Sequence, residues 1–198
     1  MRLAVASLIL LLAGCGGQDR ESALPAPEAT EVALVAPRTT IAPPPGCSTA
    51  VQPFVPTEIT ITGVDVPVMA LGRDENNVPG VPPLGAKFDV AWDAPGVQPG
   101  SSRGNVLLNT HTWPDGSALG NRFLDQLQQG DRFVLRNGEV SVCYRVTERT
   151  EVSIENPPLD RVYDEEGPAQ AVLIVCSGTR TGPGQWTHRT LWFATPLD

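Results

Sequence analysis

Val172-Leu173-Ile174-Val175-Cys176-Ser177-Gly178 is a run of four apolar residues leading into a cysteine and a polar, glycine-containing turn. Such a run reads as a buried strand that delivers a thiol to its own end. Arg189 opens a second apolar run, Arg189-Thr190-Leu191-Trp192-Phe193-Ala194, and His111 closes a third, Asn105-Val106-Leu107-Leu108-Asn109-Thr110. Each of these three side chains is therefore expected at the end of a strand. There the backbone is fixed while the tip stays reachable.

The same pattern extends upstream. Thr57 to Thr62 alternates aliphatic and polar residues, and Gly63-Val64-Asp65 turns the chain. Val66 to Leu71 reads as a second strand, with Pro67 marking an edge or a strand start. Residues 72–85 read as loop, Ala86 to Trp92 as a third strand, and Pro95 to Gly104 as loop again. After His111, Thr112 to Gly120 is irregular. Asn121 then reads as an N-cap, with Phe123, Leu124 and Leu127 on one helical face and Gly130 ending the helix. Asn137-Gly138 between two apolar runs is a strong hairpin signal. In its second arm Val140, Val142, Tyr144 and Val146 share the core face, so Cys143 points away from the core. Pro157-Pro158 precedes one helical turn near Leu159 to Tyr163, and Asp164-Glu165-Glu166 reads as solvated surface. About eight short strands and one short helix, with Gly and Pro turns between them, predict an all-β fold. One helix cannot cover two sheet faces, so the sheet is expected to close, or nearly close, into a barrel.

The N-terminal part is of another kind. Met1-Arg2, an apolar run from Leu3 to Ala13, and Gly14-Cys15 form a secretory signal. Leu12-Ala13-Gly14-Cys15 resembles the lipobox of bacterial lipoproteins, in which the cysteine is lipidated; the alternative is a secreted chain whose Cys15 is incidental. The apolar run is too short for a permanent membrane span. Residues 16–49 are rich in Pro and Ala and read as a tether, which leaves 50–198 as the folded domain. Twenty-two acidic against fourteen basic residues give a net charge of -8 with no basic tract, which argues against nucleic acid as a partner. Setting Cys15 aside, Cys47, Cys143 and Cys176 remain, an odd number for an exported chain. This suggests one free thiol and one disulfide. The outward parity of Cys143 makes Cys47 and Cys143 the candidate pair, outside the barrel, although both can equally be free. No close Cys pair is present, so no metal site is expected, and no cofactor.

Cysteine, histidine and arginine form a working set for acyl transfer. A thiolate attacks an amide carbonyl, and an imidazole moves the proton to the leaving amine. A guanidinium donates to the oxyanion and favours the thiolate. The other reading of Cys176 is a small buried hydrophobe. His188, next to Arg189, faces the opposite way in a strand and reads as surface. Trp113 and Trp186 flank the two segments and either wall a groove for an extended peptide or pack in the core. Trp92 and Trp192 are assigned to packing. Asp115 and Asn121 are read as fixing the loop and the helix start.

Asn109-Thr110-His111-Thr112-Trp113 with Ala118-Leu119-Gly120-Asn121, and Leu173-Ile174-Val175-Cys176 followed by Arg189, resemble the active-site segments of sortases, exported cysteine transpeptidases of mainly Gram-positive bacteria. Gly130-Asp131 is similar to the family's step into its central hairpin. The resemblance runs from about residue 52 to the C-terminus. Within the family it is nearest the actinobacterial forms, class F first and class E next. The family's Thr-Leu-x-Thr-Cys signature is here Val172-Leu173-Ile174-Val175-Cys176. Val175 keeps the shape of the second threonine and loses its hydroxyl, at a position where that group could bind substrate or help hold the oxyanion.

The resemblance implies a sortase-like barrel that cleaves an LPxTG-like sorting signal between Thr and Gly. Cys176 would be the nucleophile, His111 the proton-transfer group and Arg189 the oxyanion donor. The acceptor would be an amine of a cell-wall precursor. A monomer lipid-anchored through Cys15 to the outer face of the membrane is expected. The alternative is a non-catalytic or hydrolytic surface lipoprotein that binds proline-containing peptides. An L,D-transpeptidase would need a Ser-His-Gly-Cys run, which is absent.

Overall fold

The structure is a computed structural model that describes Cys47 and residues 52–197. Cys15, the leader and all of the tether except Cys47 lie outside the described residues. Eight strands form the sheet: β1 (Glu58–Ile61), β2 (Val64–Leu71), β3 (Val90–Asp93), β4 (Asn105–Thr110), β5 (Arg132–Asn137), β6 (Val140–Ser153), β7 (Gln170–Gly182) and β8 (Gln185–Pro196). They close into a barrel in the order β1-β2-β3-β4-β7-β8-β6-β5, and β5 pairs back onto β1. Among the described residues two helices complete it, α1 (Leu119–Gln126) and the single turn α2 (Leu159–Val162). The all-β closed barrel is the architecture the strand count predicts.

Alternation along each strand sorts side chains into two layers. Ile59, Val66, Trp92, Leu108, Leu135, Tyr144, Leu173 and Trp192 belong to the main cluster, which α1 joins through Leu119, Phe123 and Leu127. Phe123 meets Trp192 edge-on at 6.5 Å, and the Trp192 indole donates to the Leu127 carbonyl. The opposite face of β4, β7 and β8 carries a second cluster of Leu107, Val172, Leu191 and Phe193, roofed by Val162 of α2. Burying such aromatic and aliphatic side chains is the main stabilising term, on the order of 1.5–3 kcal/mol each.

Two pairings are parallel, β2 with β3 and β4 with β7. The first is bridged by a long loop, 72–89, and the second by everything from α1 to α2. Pro67 fits β2 for a local reason. Val68 N–H donates to Thr57 on the β1 side, so the nitrogen of Pro67 faces the other side, just before β3 joins at Val68.

Several expected boundaries shift. Neither Cys176 nor Arg189 ends a strand; both lie inside the long β7–β8 hairpin, which continues to Gly182 and Gln185. The turn signal at Gly178 is a bulge instead. The ladder shifts register between Ser177 and Arg180, and Gly178 has φ +75°, where a Cβ would strike His188 Nδ1 and Thr187 Oγ1. The third strand starts at Val90, not Ala86, because Ala86 and Asp89 N–H groups are spent on turns to Pro83 and Ala86. The helix starts at Leu119, ahead of Asn121. Asn121 Oδ1 reaches back to accept from the Ala118 and Trp113 N–H groups, and its Nδ2 donates to the Trp113 carbonyl. It thus fixes the loop and the helix start from within the first turn. Trp92 and Trp192 are buried packing residues.

Cys143 sits on the outward parity of β6 but is buried, because a disulfide joins it to Cys47 with a Cα–Cα distance of 5.4 Å. The bond staples the N-terminal approach across the β5–β6 hairpin and closes a chain separation of 96 residues. Cys176 is a free thiol.

Candidate functional site

Three neighbouring strands carry the site. The parallel ladder of β4 and β7 ends at Thr110 opposite Val175, which brings the next residue, His111, level with Cys176. The antiparallel ladder of β7 and β8 then pairs Cys176 directly with Arg189. Cys176 shares parity with Val172 and Ile174, and Arg189 shares parity with Leu191 and Phe193, all on the second-cluster face. His111, Cys176 and Arg189 therefore form one row across the outer face of the barrel, despite their separation in sequence.

The thiol is partly buried, and burial pushes it up from its ordinary range because the thiolate loses water. The Arg189 charge acts in the opposite direction but more weakly. At neutral pH the resting group is the thiol. Arg189 Nη1 donates to the backbone carbonyls of His188 at 2.8 Å and Trp186 at 3.3 Å, which pins the guanidinium to its own strand. Among the described residues its Nε and Nη2 hold no partner, so two donor nitrogens remain for an incoming oxygen.

His111 is engaged. Its Nε2 lies 2.5 Å from the Pro82 carbonyl oxygen, in the loop between β2 and β3. A carbonyl only accepts, so Nε2 carries the proton. Two residues earlier, Asn109 Nδ2 donates to the Gly80 carbonyl at 2.8 Å. Two side chains, Asn109 in β4 and His111 just past its end, thus hold carbonyls at alternate positions of the loop, which lies as a strap beside the row.

The strap is anchored at its root by a pair absent from the sequence reading. Arg73 donates to both carboxylate oxygens of Asp93, whose side chain is 1% exposed at the end of β3. Glu165 adds a longer contact at 3.3 Å. These neighbours hold the Arg73 guanidinium above its usual range. Asp164 caps its own turn through the Glu166 and Gly167 N–H groups, and Glu166 pairs with Arg103, so the acidic run is surface with local structural uses.

On the other side, the start of α1 clamps the histidine segment. Gly120 N–H donates to the His111 carbonyl at 2.8 Å, and Thr112 Oγ1 donates to the Cys176 carbonyl at 2.7 Å. Thr112 and Asn109 stand in the histidine segment quoted from the sequence, where neither is given a role of its own; the available signal is their position one and two residues from His111.

Trp113 is half-buried beside the row, with the Lys87 ammonium 3.9 Å above its ring. Trp186, also half-buried, lies in the β7–β8 hairpin beyond Arg189, paired with Arg180. Val175 does not join them. It is 1% exposed on the inward parity of β7, within the main core, so its side chain presents nothing to a ligand on the outer face; this corrects the expectation that it lines the substrate site. His188 is half-buried and bonds Thr187 Oγ1 through Nδ1, away from the row. Asp115 is exposed, and its carboxyl is held below its usual range chiefly by the Ser117 hydroxyl. Among the described residues no His, Cys, Asp and Glu side chains cluster in threes to hold a metal.

No family model matches the chain, and no curated protein does. Solved structures do match. Sortase C1 of Streptococcus agalactiae, in complex with MTSET, superposes with a TM-score of 0.52 at 19% identity, over 72% of this chain and 69% of that one. Sortase C-1 of Actinomyces oris gives 0.53 at 23% identity over 71% of each chain. Sortase C1 of Streptococcus suis gives 0.52 at 20% identity, over 72% and 73%. The barrel is a sortase fold. The subclass reading is corrected by the same comparisons: the matching structures are of the C1 type, and the class F reading, with class E behind it, is set aside. The motifs around His111 and Cys176 carry too little to fix a subclass.

Proposed function

We propose that this chain is a sortase-like cysteine transpeptidase that cleaves an LPxTG-like signal between Thr and Gly and passes the threonyl acyl group to an amine of a cell-wall precursor. The observation that carries the reading is the row of His111, Cys176 and Arg189 on one face of adjacent strands. Cys176 Sγ passes its proton to His111 as it attacks the threonyl carbonyl carbon, and the carbonyl oxygen gains charge beside the free donors of Arg189. His111 protonates the departing glycyl nitrogen as the C–N bond breaks, leaving a thioester on Cys176. An acceptor amine then attacks the thioester carbonyl, the C–S bond breaks, and the proton lost by the amine returns through His111 to the thiol. Water in place of the amine gives hydrolysis.

The sortase fold supports this reading, as does the placement of all three residue types on one face of adjacent strands. Trp113 and Trp186, on either side of the row, would border the peptide. Residues 1–15 would direct export, Cys15 would carry the lipid anchor at the outer membrane face, and the segment after it would give the domain reach. No described helix is long and apolar enough to cross a membrane.

A second reading has one observation in its favour. The bond from His111 to Pro82 occupies one nitrogen of the imidazole, as a non-catalytic peptide-binding lipoprotein would permit. Turnover separates the two. The purified protein is given a fluorogenic sorting-signal peptide and an amine acceptor, and products are resolved by mass. The enzyme yields both the released glycyl fragment and the threonyl–amine conjugate. A binding module retains the peptide intact.

A further inference from the structure

The backbone ladder between β4 and β7 stops at Thr110 and Val175. Past that point the histidine segment leaves the sheet, and its path relative to Cys176 must be set by something other than strand pairing. The next tie is a side chain. Thr112 Oγ1 donates to the Cys176 carbonyl at 2.7 Å and so takes the place of the missing ladder bond. Thr112 is 9% exposed, so water competes little for this bond. From the opposite side, Gly120 N–H holds the His111 carbonyl at 2.8 Å. The fit is close: a Cβ on Gly120 would lie 2.4 Å from the His111 oxygen and 2.8 Å from Thr112 Oγ1. Residues 111–112 are therefore held between the first turn of α1 and the backbone of Cys176.

We infer that Thr112 is a positioning residue that sets the placement of His111 against the Cys176 thiol through the Cys176 carbonyl. This rests on the reading of His111 and Cys176 as a working pair. It needs no contact between Thr112 and substrate. A hydroxyl one residue from the imidazole, bonded to the backbone of the nucleophile itself, gives a short rigid path between the two. Displacements on the order of 1 Å between reacting groups cost about 10²-fold in rate, so losing this tie should be felt in turnover and in thiol reactivity more than in binding.

The test is a cycle on the full-length protein, read by Cys176 alkylation with iodoacetamide as a function of pH and, separately, by peptide turnover. The variants are Thr112→Val, which keeps the shape and removes the donor, Thr112→Ser, which keeps the donor, His111→Ala, and Thr112→Val combined with His111→Ala. The expected result is that Thr112→Val lowers kcat by about 10- to 10²-fold with KM little changed. It should shift the alkylation profile in the same sense as His111→Ala and add little to that change when combined with it. Thr112→Ser should behave as the wild type in both readouts. A wild-type alkylation profile for Thr112→Val, additive effects in the double variant, or a serine variant as impaired as the valine would each overturn the inference. An alkylation profile indifferent to His111→Ala would overturn it together with the working pair. A wild type that alkylates as described but turns over no peptide would end the transpeptidase reading alone.

Discussion

His111 Nε2 and the Pro82 carbonyl oxygen stand 2.5 Å apart, so one of the two imidazole nitrogens is spent on the chain's own loop. Asn109 holds the same loop through Gly80. Asn109→Ala should loosen the strap without touching the row. The measure is modification of His111 by diethyl pyrocarbonate, followed by peptide mapping, and it should speed up several-fold as one hydrogen bond of about 1 kcal/mol is lost. An unchanged rate would mean that Pro82 holds the ring unaided.

Burial raises the Cys176 thiol and Arg189 lowers it, which gives a sign for the pH dependence. Arg189→Gln removes the lowering charge, so the thiol should titrate at still higher pH and the alkylation profile should move upward. At any fixed pH below the midpoint, the thiolate fraction and the rate both fall. Arg189→Lys keeps the charge and should hold the profile nearer wild type. Turnover should not return in full, since the paired donors of the fork are gone. Loss of the fork in Arg189→Ala should cost about 10² to 10³ in kcat.

Asp93 and Arg73 make a largely buried pair at the root of the strap. Asp93→Ala leaves the guanidinium without its main partner and should cost about 3–5 kcal/mol in urea unfolding. Replacing both partners with apolar residues should cost less than the single change. A loss under 1 kcal/mol for Asp93→Ala would show that Glu165 and solvent suffice for Arg73.

Gly120→Ala would set a methyl against the backbone of His111, which has nowhere to yield cheaply. The expected penalty is about 1–3 kcal/mol in stability together with a large fall in kcat, as the histidine segment shifts. Wild-type turnover in a folded Gly120→Ala protein would show that α1 does not fix this segment.

What the sequence disclosed and what it hid follow from the range of the interactions involved. The Asn137-Gly138 hairpin, the apolar face of α1 and the turn at α2 are local patterns, readable from a few neighbouring residues. The strand that ends just before His111 was legible for the same reason. The positions of Cys176 and Arg189 within their strands were not. Gly178 reads locally as a turn, and only the partner strand β8 turns it into a bulge. The Arg73–Asp93 pair and the strap bonds join residues brought together by a parallel crossover, and no local pattern announces such an arrangement. Val175 was read through its neighbour in a motif, whereas strand alternation sends its side chain the other way, into the core.

The central claim is that Cys176 forms an acyl-enzyme. Purified protein is incubated with a sorting-signal peptide, quenched in acid and examined by intact mass spectrometry. The account predicts an adduct equal to the peptide through its threonine. The adduct should map to Cys176, be lost on treatment with hydroxylamine, be absent from Cys176→Ala, and form more slowly by at least about 10² in His111→Ala. Cleavage by Cys176→Ala at the wild-type rate, or wild-type protein that binds the peptide and never acquires the mass, would contradict it.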